Sequence, residues 1–397
     1  MPSKTKEFHL AVINSHPIQY FAPLYAELNQ CAELKITCLY FSNIGLRGEV
    51  DPSFNAELKW DIDLLAGYSY KFLGKKAMTK TPSGFLSLVV PEVWTEIRNG
   101  KYDGLWLHGY NYFANLIALV AAKSKGIPVF FRGETHLKLK RSALNNMIHQ
   151  VLTTILFKYI DAFFSIGSKN KEYYQAMGVS ESKIFNVPYT VDNKRFMYAS
   201  SLSNEEKKNI RNEYQLSTDR PVILYASKFM RRKRPEEVLY AASDLQSRGY
   251  KFTVFMVGSG EMEAYLISLA SQLNLTDVVF AGFINQIRLP EVYAVSDIFV
   301  LPSENEPWGL IVNEVMCAGK PVIVGSEVGC VDDLVIHGVN GYQIEVGETS
   351  QLIDALEQLI TNPERRLEMG AKSLEIINNW NYEACKVGII KAVNSIS

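Results

Sequence analysis

The segment from Leu301 to Ser326, LPSENEPWGLIVNEVMCAGKPVIVGS, carries two carboxylates, Glu306 and Glu314, just beyond an apolar run with the look of a strand. A helix is expected to begin near Trp308 or Gly309, which sets Glu314 about two turns from Glu306. In open α/β sheets ligands gather beyond the carboxyl ends of strands, so this loop lies where a ligand belongs. The backbone N–H groups of Gly309 and Leu310 have no partner within the helix, and a helix start carries about half a positive charge. A diphosphate suits that end, and Gly309 lets a phosphate or sugar approach the backbone with no Cβ in the way. Carboxylates repel a diphosphate but accept hydrogen bonds from hydroxyls. Glu306 is therefore matched to a hexose and Glu314 to a ribose.

A second segment, VILYASKFMRRKRPEEVL, ends a strand near Ser227 and then offers Lys228, Arg231, Arg232, Lys233 and Arg234 before Pro235 opens a helix. Such a run is ordinarily a solvated face. Its place at a strand's carboxyl end makes Lys228 and Lys233 candidates for charge-assisted bonds to a diphosphate, with the arginines read as surface. A third segment, FTVFMVGSGEMEAYL, places Gly258, Ser259 and Gly260 between strand and helix, in a supporting role near a nucleotide.

In the first half of the chain the strand-like PVFF leads into Arg132, Gly133, Glu134, Thr135 and His136. His16 and His108 also follow strand-like runs and are candidates for the acceptor side of a site, while His9, His149 and His337 read as structural or surface groups. Asp61 and Asp63 in WDIDL mimic a metal-binding DxD but read as alternating residues of a strand. No GxSxG elbow and no Walker loop occurs.

These residues need a frame. Apolar, β-branched and aromatic runs recur, with helical periodicity between them: HLAVINS, LKITCLYF, DGLWLHG, PVFFRG and DAFFSIG, then PVILYAS, FTVFMVG, VVFAGF, DIFVLPS and PVIVGS. That alternation is the mark of parallel sheets covered by helices on both faces. With 397 residues, 47% of them hydrophobic, two doubly wound domains are expected. The 41 basic and 42 acidic side chains nearly cancel, so no global field draws the protein to nucleic acid. Five scattered cysteines, with no CxxC pair, fit buried thiols in a reducing compartment. No apolar stretch approaches the roughly twenty residues of a spanning helix, and the start lacks a signal-peptide pattern. Lys138, Lys140 and Arg141 precede an amphipathic stretch from Ser142 to Lys158, a combination that attracts anionic lipid.

In order and spacing the three segments resemble retaining glycosyltransferase family 4. Its Glu, seven residues, Glu pattern is matched by Glu306 and Glu314, and its Gly-Arg-Leu, three residues, Lys by Ser227-Lys228-Phe229 and Lys233. Lys228 stands where the family has Arg, which keeps the charge and loses the bidentate fork. VGSGE, DIFVLPS, SIGSKNKEYYQAMGV and KIFNVPYTVDNKRF also resemble family segments.

The resemblance implies a GT-B fold of two Rossmann-like domains facing each other across a cleft. Its parts would be an acceptor-binding domain over residues 1–197, a nucleotide-sugar-binding domain over 198–375, and a C-terminal helix over 376–397 returning toward the first. It implies transfer of a sugar from a nucleotide-diphosphate donor to a saccharide or lipid-linked acceptor with retention, in polysaccharide or lipopolysaccharide assembly. Glu306, Lys228 and Lys233 would be catalytic, with Glu314, Trp308, Gly309, Leu310 and the Gly258–Gly260 turn on the donor. The family's first-domain histidine, close to the donor sugar, corresponds to one of Arg132, Glu134 and His136, a choice the sequence leaves open. No cofactor or metal is expected, since cations and a helix start already face the diphosphate. The expected location is cytoplasmic, with peripheral contact at the inner membrane face. An epimerase or phosphorylase on the same scaffold, or a noncatalytic nucleotide-sugar-binding subunit, are the alternatives.

Overall fold

The computed structural model describes residues 7–46, 48–51, 56–74, 84–139 and 143–396. The strands are β1 (Phe8–Asn14), β2 (Leu34–Tyr40), β3 (Glu49–Asp51), β4 (Ala56–Leu58), β5 (Ser69–Phe72), β6 (Gly104–His108), β7 (Val129–Arg132), β8 (Ala162–Ser165), β9 (Ile184–Asn186), β10 (Val222–Ala226), β11 (Thr253–Val257), β12 (Val278–Gly282), β13 (Ile298–Leu301), β14 (Val322–Gly325) and β15 (Gly341–Ile344). The helices are α1 (Ala22–Leu28), α2 (Glu92–Asn99), α3 (Phe113–Lys125), α4 (Ala143–Phe157), α5 (Ser168–Ala176), α6 (Asn193–Ser201), α7 (Asn204–Glu213), α8 (Pro235–Ser247), α9 (Glu263–Gln272), α10 (Leu289–Val295), α11 (Leu310–Cys317), α12 (Val331–Leu334), α13 (Thr349–Thr361), α14 (Pro363–Ile377) and α15 (Tyr382–Ile396).

The chain divides into two compact units, residues 1–49, 62–190 and 381–397 in one and residues 50–61 and 191–380 in the other. The switch at 190/191 falls before the expected boundary at 197, because α6 packs on α10 and α11 of the second unit. The C-terminal helix starts at Tyr382 and is counted with the first unit. It packs on β8, β9 and α1, and a Cβ on Gly388 would come within 2.0 Å of the Asn186 carbonyl oxygen.

Each unit has one parallel sheet, in the order β5-β2-β1-β6-β7-β8-β9 and β12-β11-β10-β13-β14-β15. The central strands β6, β7, β10, β11, β13 and β14 are buried nearly end to end, as continuous apolar runs require when helices cover both faces. In both sheets the strand order reverses about one pair of neighbours, β1/β6 in the first unit and β10/β13 in the second. At such a switch point the following loops diverge to opposite faces and open a crevice at the carboxyl ends. Residues Asn14, His108, Ala226 and Leu301 mark these ends.

Two sequence expectations change. Asp61 and Asp63 do not alternate along a strand, since β4 stops at Leu58. The Asp63 carboxylate accepts the Leu65 N–H at 2.9 Å, local turn bonding that competes with a ladder, while the Asp61 carboxylate accepts the distant Ile287 N–H at 3.2 Å. Lys140, Arg141 and Ser142 lie outside the described residues, as does the His149 side chain.

Candidate functional site

In the second unit the site grows from two adjacent strands. β10 and β13 pair in parallel, Ile223 beside Ile298, so the loops that leave them start side by side. After β10 comes Ser227 to Met230, then a tight turn at Arg231–Lys233, and Pro235 begins α8. After β13 the chain runs through Glu306 to Gly309, whose φ of 91° caps α11. The Glu304 N–H donates to the Arg232 carbonyl at 2.8 Å and ties the two loops together.

Across that junction Lys233 Nζ lies 2.5 Å and Arg232 Nη1 2.7 Å from the same oxygen, Glu306 Oε2. Lys233 and Glu306 are both buried. Burial works to raise the Glu306 pKa, but the charges and hydrogen bonds of Lys233 and Arg232 prevail and hold the carboxyl below its ordinary value. Burial lowers the Lys233 pKa, and Glu306 offsets only part of that. The three groups sum to one positive charge, with Lys228 half-buried on the same loop. Arg232, read from sequence as surface, belongs to the cluster. Arg234 pairs instead with Glu237 at 2.5 Å.

The glycines hold this arrangement together. A Cβ on Gly258 would sit 2.0 Å from the Ser227 carbonyl oxygen, and one on Gly260 2.6 Å from that of Phe229. The Gly258–Gly260 turn is thus pressed against the backbone around Lys228, with the Phe229 N–H donating to the Ser259 carbonyl at 2.9 Å. On the other side the Gly329 N–H donates to the Glu306 carbonyl at 3.0 Å and the Cys330 N–H to that of Trp308 at 3.0 Å. A Cβ on Gly329 would lie 1.9 Å from the Pro307 oxygen. Gly329 escaped sequence reasoning, and only its neighbourhood in VGC hints at a close approach.

Two residues expected on the donor, Trp308 and Glu314, have partners within the protein. Trp308 is buried, with Nε1 donating to Asn313 Oδ1 at 3.0 Å and its ring against Trp380 at 5.4 Å. It braces the start of α11. Glu314 is 1% exposed and lies on the inner face of α11, where its carboxylate accepts the Tyr293 hydroxyl. Gly309 and Leu310 remain at the helix start, as expected.

In the first unit the switch point is lined by histidines. The Ser15 N–H donates to Asn14 Oδ1 at 3.0 Å, which turns the amide nitrogen toward the Tyr25 hydroxyl at 3.3 Å. That hydroxyl lies 2.8 Å from His108 Nε2. The Tyr25 hydroxyl and His108 Nε2 form one hydrogen bond, whose donor is set by the imidazole tautomer. Burial, with Arg132 nearby, pushes the His108 pKa well down. Burial lowers that of His16 to about 4, its Nδ1 lying 2.9 Å from Ser15 Oγ. Both rings are neutral. Arg132 is the register partner of His108 on β7 and is 2% exposed. Glu134 is half-buried and hydrogen-bonds Tyr189, and His136 is 3% exposed at the far end of the loop. That loop is pinned by Asn170 Nδ2 donating to the Thr135 carbonyl at 2.9 Å. His9 bonds Thr37 at 2.8 Å and His337 accepts the Gln343 N–H at 3.2 Å, both structural as expected.

A cavity of about 710 Å³ in the first unit is lined by Phe8, Leu34, Asp103 and Pro128, at the amino ends of the strands. None of the candidate residues lines it.

Two parallel α/β sheets, each with its candidate groups at a switch point, define the architecture of a GT-B protein. In keeping with this, the structure resembles sucrose-phosphate synthase from Thermosynechococcus elongatus, with a TM-score of 0.74 at 17% identity over 98% of this chain and 99% of that one. It resembles Anabaena HepE, solved in complex with UDP, equally well, at 15% identity over 98% and 100%. Residues 206–375 match the family described as glycosyl transferases group 1. N-acetyl-alpha-D-glucosaminyl L-malate synthase from Bacillus anthracis is 31% identical over 200 residues, 50% of each chain. The chain thus spans about half the length of that curated relative.

Proposed function

We propose that the protein transfers a sugar from a nucleotide-diphosphate donor to a saccharide or lipid-linked acceptor, with retention of the donor's anomeric configuration. The observation that carries this reading is the buried Lys233–Glu306 pair, joined by the half-exposed Arg232, at the carboxyl ends of β10 and β13, beside the start of α11. Breaking the bond from the anomeric carbon to the diphosphate leaves negative charge on the leaving group, and fixed cations in a partly dry site are the strongest means of stabilising it. Lys233, Lys228 and the N–H groups at Gly309 and Leu310 supply that charge. Glu306, already oriented by two cations, accepts hydrogen bonds from sugar hydroxyls. In this reading attack comes on the face the diphosphate leaves, with no covalent intermediate. A divalent metal is not required, because the cations take its place.

Chromatography of a nucleotide-sugar panel, with and without saccharide acceptors, tests the reading. Nucleoside diphosphate released only with acceptor supports transfer. An epimerised nucleotide-sugar, a sugar phosphate formed from orthophosphate, or binding without turnover would each replace it with one of the alternatives.

Polysaccharide or lipopolysaccharide assembly in the cytoplasm is the proposed setting. Among the described residues no helix is long and apolar enough to cross a membrane. The second half of α4 and the residues just after it expose Val151, Leu152, Ile155 and Tyr159 beside Lys158, with no acidic residue from Ala143 to Tyr159. That apolar and cationic face supports peripheral contact with an anionic bilayer.

A further inference from the structure

Arg132 is a poorly compensated buried charge in the first unit. Its guanidinium is buried, and Nε, Nη1 and Nη2 all lack a hydrogen-bond partner among the described residues. What it has instead are aromatic faces, with the guanidinium carbon 4.5 Å from the Tyr189 ring centre and 5.1 Å from that of Phe21. Those two rings are parallel within 2° and 5.6 Å apart. A guanidinium cannot shed its proton, so burial does not neutralise it as it would a lysine. Cation–π contact returns only a fraction of what desolvating a full charge costs. Its strand neighbour supplies no counter-charge: His108, the register partner, is held well below its usual pKa by burial and by Arg132 itself. The nearby Glu134 is engaged by Tyr189. Phe21 and Tyr189 are themselves 4% and 6% exposed.

We propose that Arg132 is the seat of an oxyanion, a carboxylate or phosphate group of a ligand that enters the carboxyl end of the first sheet by displacing Phe21 or Tyr189. A buried donor cluster without an acceptor stores in the free protein the desolvation that an incoming anion then repays with bidentate bonds. The position agrees with the rule that ligands of open sheets sit at the switch point, since β7 is next to β6 there. The oxyanion belongs either to the nucleotide donor or to an acidic group on another ligand such as the acceptor.

Thermal unfolding of the full chain distinguishes these cases without any turnover. Wild-type protein is heated with sodium phosphate, sodium malonate or nucleoside diphosphate, against sodium chloride at matched ionic strength, alongside Arg132→Met and Arg132→Lys. Phosphate or malonate is expected to raise the wild-type Tm by on the order of 2 °C or more. Arg132→Met is expected to raise the Tm in chloride, since it removes an unpaired buried charge, and to abolish the anion response, which Arg132→Lys keeps in part. A nucleoside-diphosphate response that also shrinks in Arg132→Met assigns the oxyanion to the donor. An intact one assigns it to another ligand. No wild-type response to phosphate or malonate, or an undiminished response in Arg132→Met, overturns the proposal, and a lower Tm for Arg132→Met with unchanged responses makes the guanidinium a structural clamp. Because the readout is unfolding, failure of sugar transfer would leave this result standing.

Discussion

Glu306→Gln and Lys233→Ala remove opposite halves of one ion pair, and the geometry makes them fail in opposite ways. Glu306 Oε2 lies 2.5 Å from Lys233 Nζ and 2.7 Å from Arg232 Nη1, and the Lys233 and Glu306 side chains are only 10% and 12% exposed. Replacing Glu306 strands two cations beside each other, one of them buried. Breaking a fully buried pair costs about 3–5 kcal/mol, and the 40% exposure of the Arg232 side chain lowers the expected loss to roughly 2–4 kcal/mol. Replacing Lys233 leaves Glu306 on Arg232, so the loss should be about 1–2 kcal/mol. Denaturant midpoints at constant slope give both values.

Calorimetric titration with nucleoside diphosphate should invert that order. In Glu306→Gln the stranded cations gain their missing counter-charge from the ligand, so binding should equal or exceed wild type. In Lys233→Ala the loss of one charge-assisted bond should weaken binding roughly tenfold or more, and turnover should fall about a hundredfold or more because the charge grows in the transition state. The reasoning is refuted if the alanine variant is the less stable of the two, or if the glutamine variant loses nucleoside-diphosphate binding to the same degree.

Acid should destabilise the protein before its carboxylates titrate. The folded chain holds His16 at about 4 and His108 well below its usual value, whereas the unfolded chain takes up those protons near pH 6.5. The contribution of these two histidines is therefore level above about pH 6.5 and declines as pH falls toward 4, by on the order of 1–3 kcal/mol, and His16→Gln should flatten the decline in urea midpoints. EDTA should leave transferase turnover unchanged, and full loss restored by magnesium or manganese would show that the cations do not suffice. Leu152→Glu with Ile155→Glu, at positions 62% and 51% exposed, should keep the fold and reduce sedimentation with anionic vesicles. Wild-type sedimentation that is independent of anionic lipid would remove the membrane contact.

The ten apolar runs named from the sequence all form strands, because a strand covered on both faces must be apolar throughout and few other elements are. β3, β4, β5, β9 and β15 were missed: β5 and β9 are sheet edges with more solvent-facing side chains, β15 is a buried edge whose GYQI holds no apolar run, and β3 and β4 are three-residue strands. Glu306 and Lys233 were legible as residues at strand ends, yet their direct pairing was not, because it spans 73 residues and depends on β10 and β13 being neighbours. Arg232 was lost among adjacent cations for the same reason. The protein partners of Trp308 and Glu314, Asn313 and Tyr293, were not legible either, because the first depends on the turn into α11 and the second on a helix 21 residues away. Arg132 stood out only as one of three polar residues after a strand, and its lack of a partner is a property of the packed face alone.

The central claim is tested most directly by following donor and acceptor together in one proton NMR time course. Nucleotide-sugar, a saccharide acceptor and wild-type protein should show donor anomeric signals replaced by those of a product with the same anomeric configuration, in step with nucleoside diphosphate. A product of inverted configuration, or nucleoside diphosphate with no glycosylated product for any nucleotide-sugar and acceptor offered, would contradict the account.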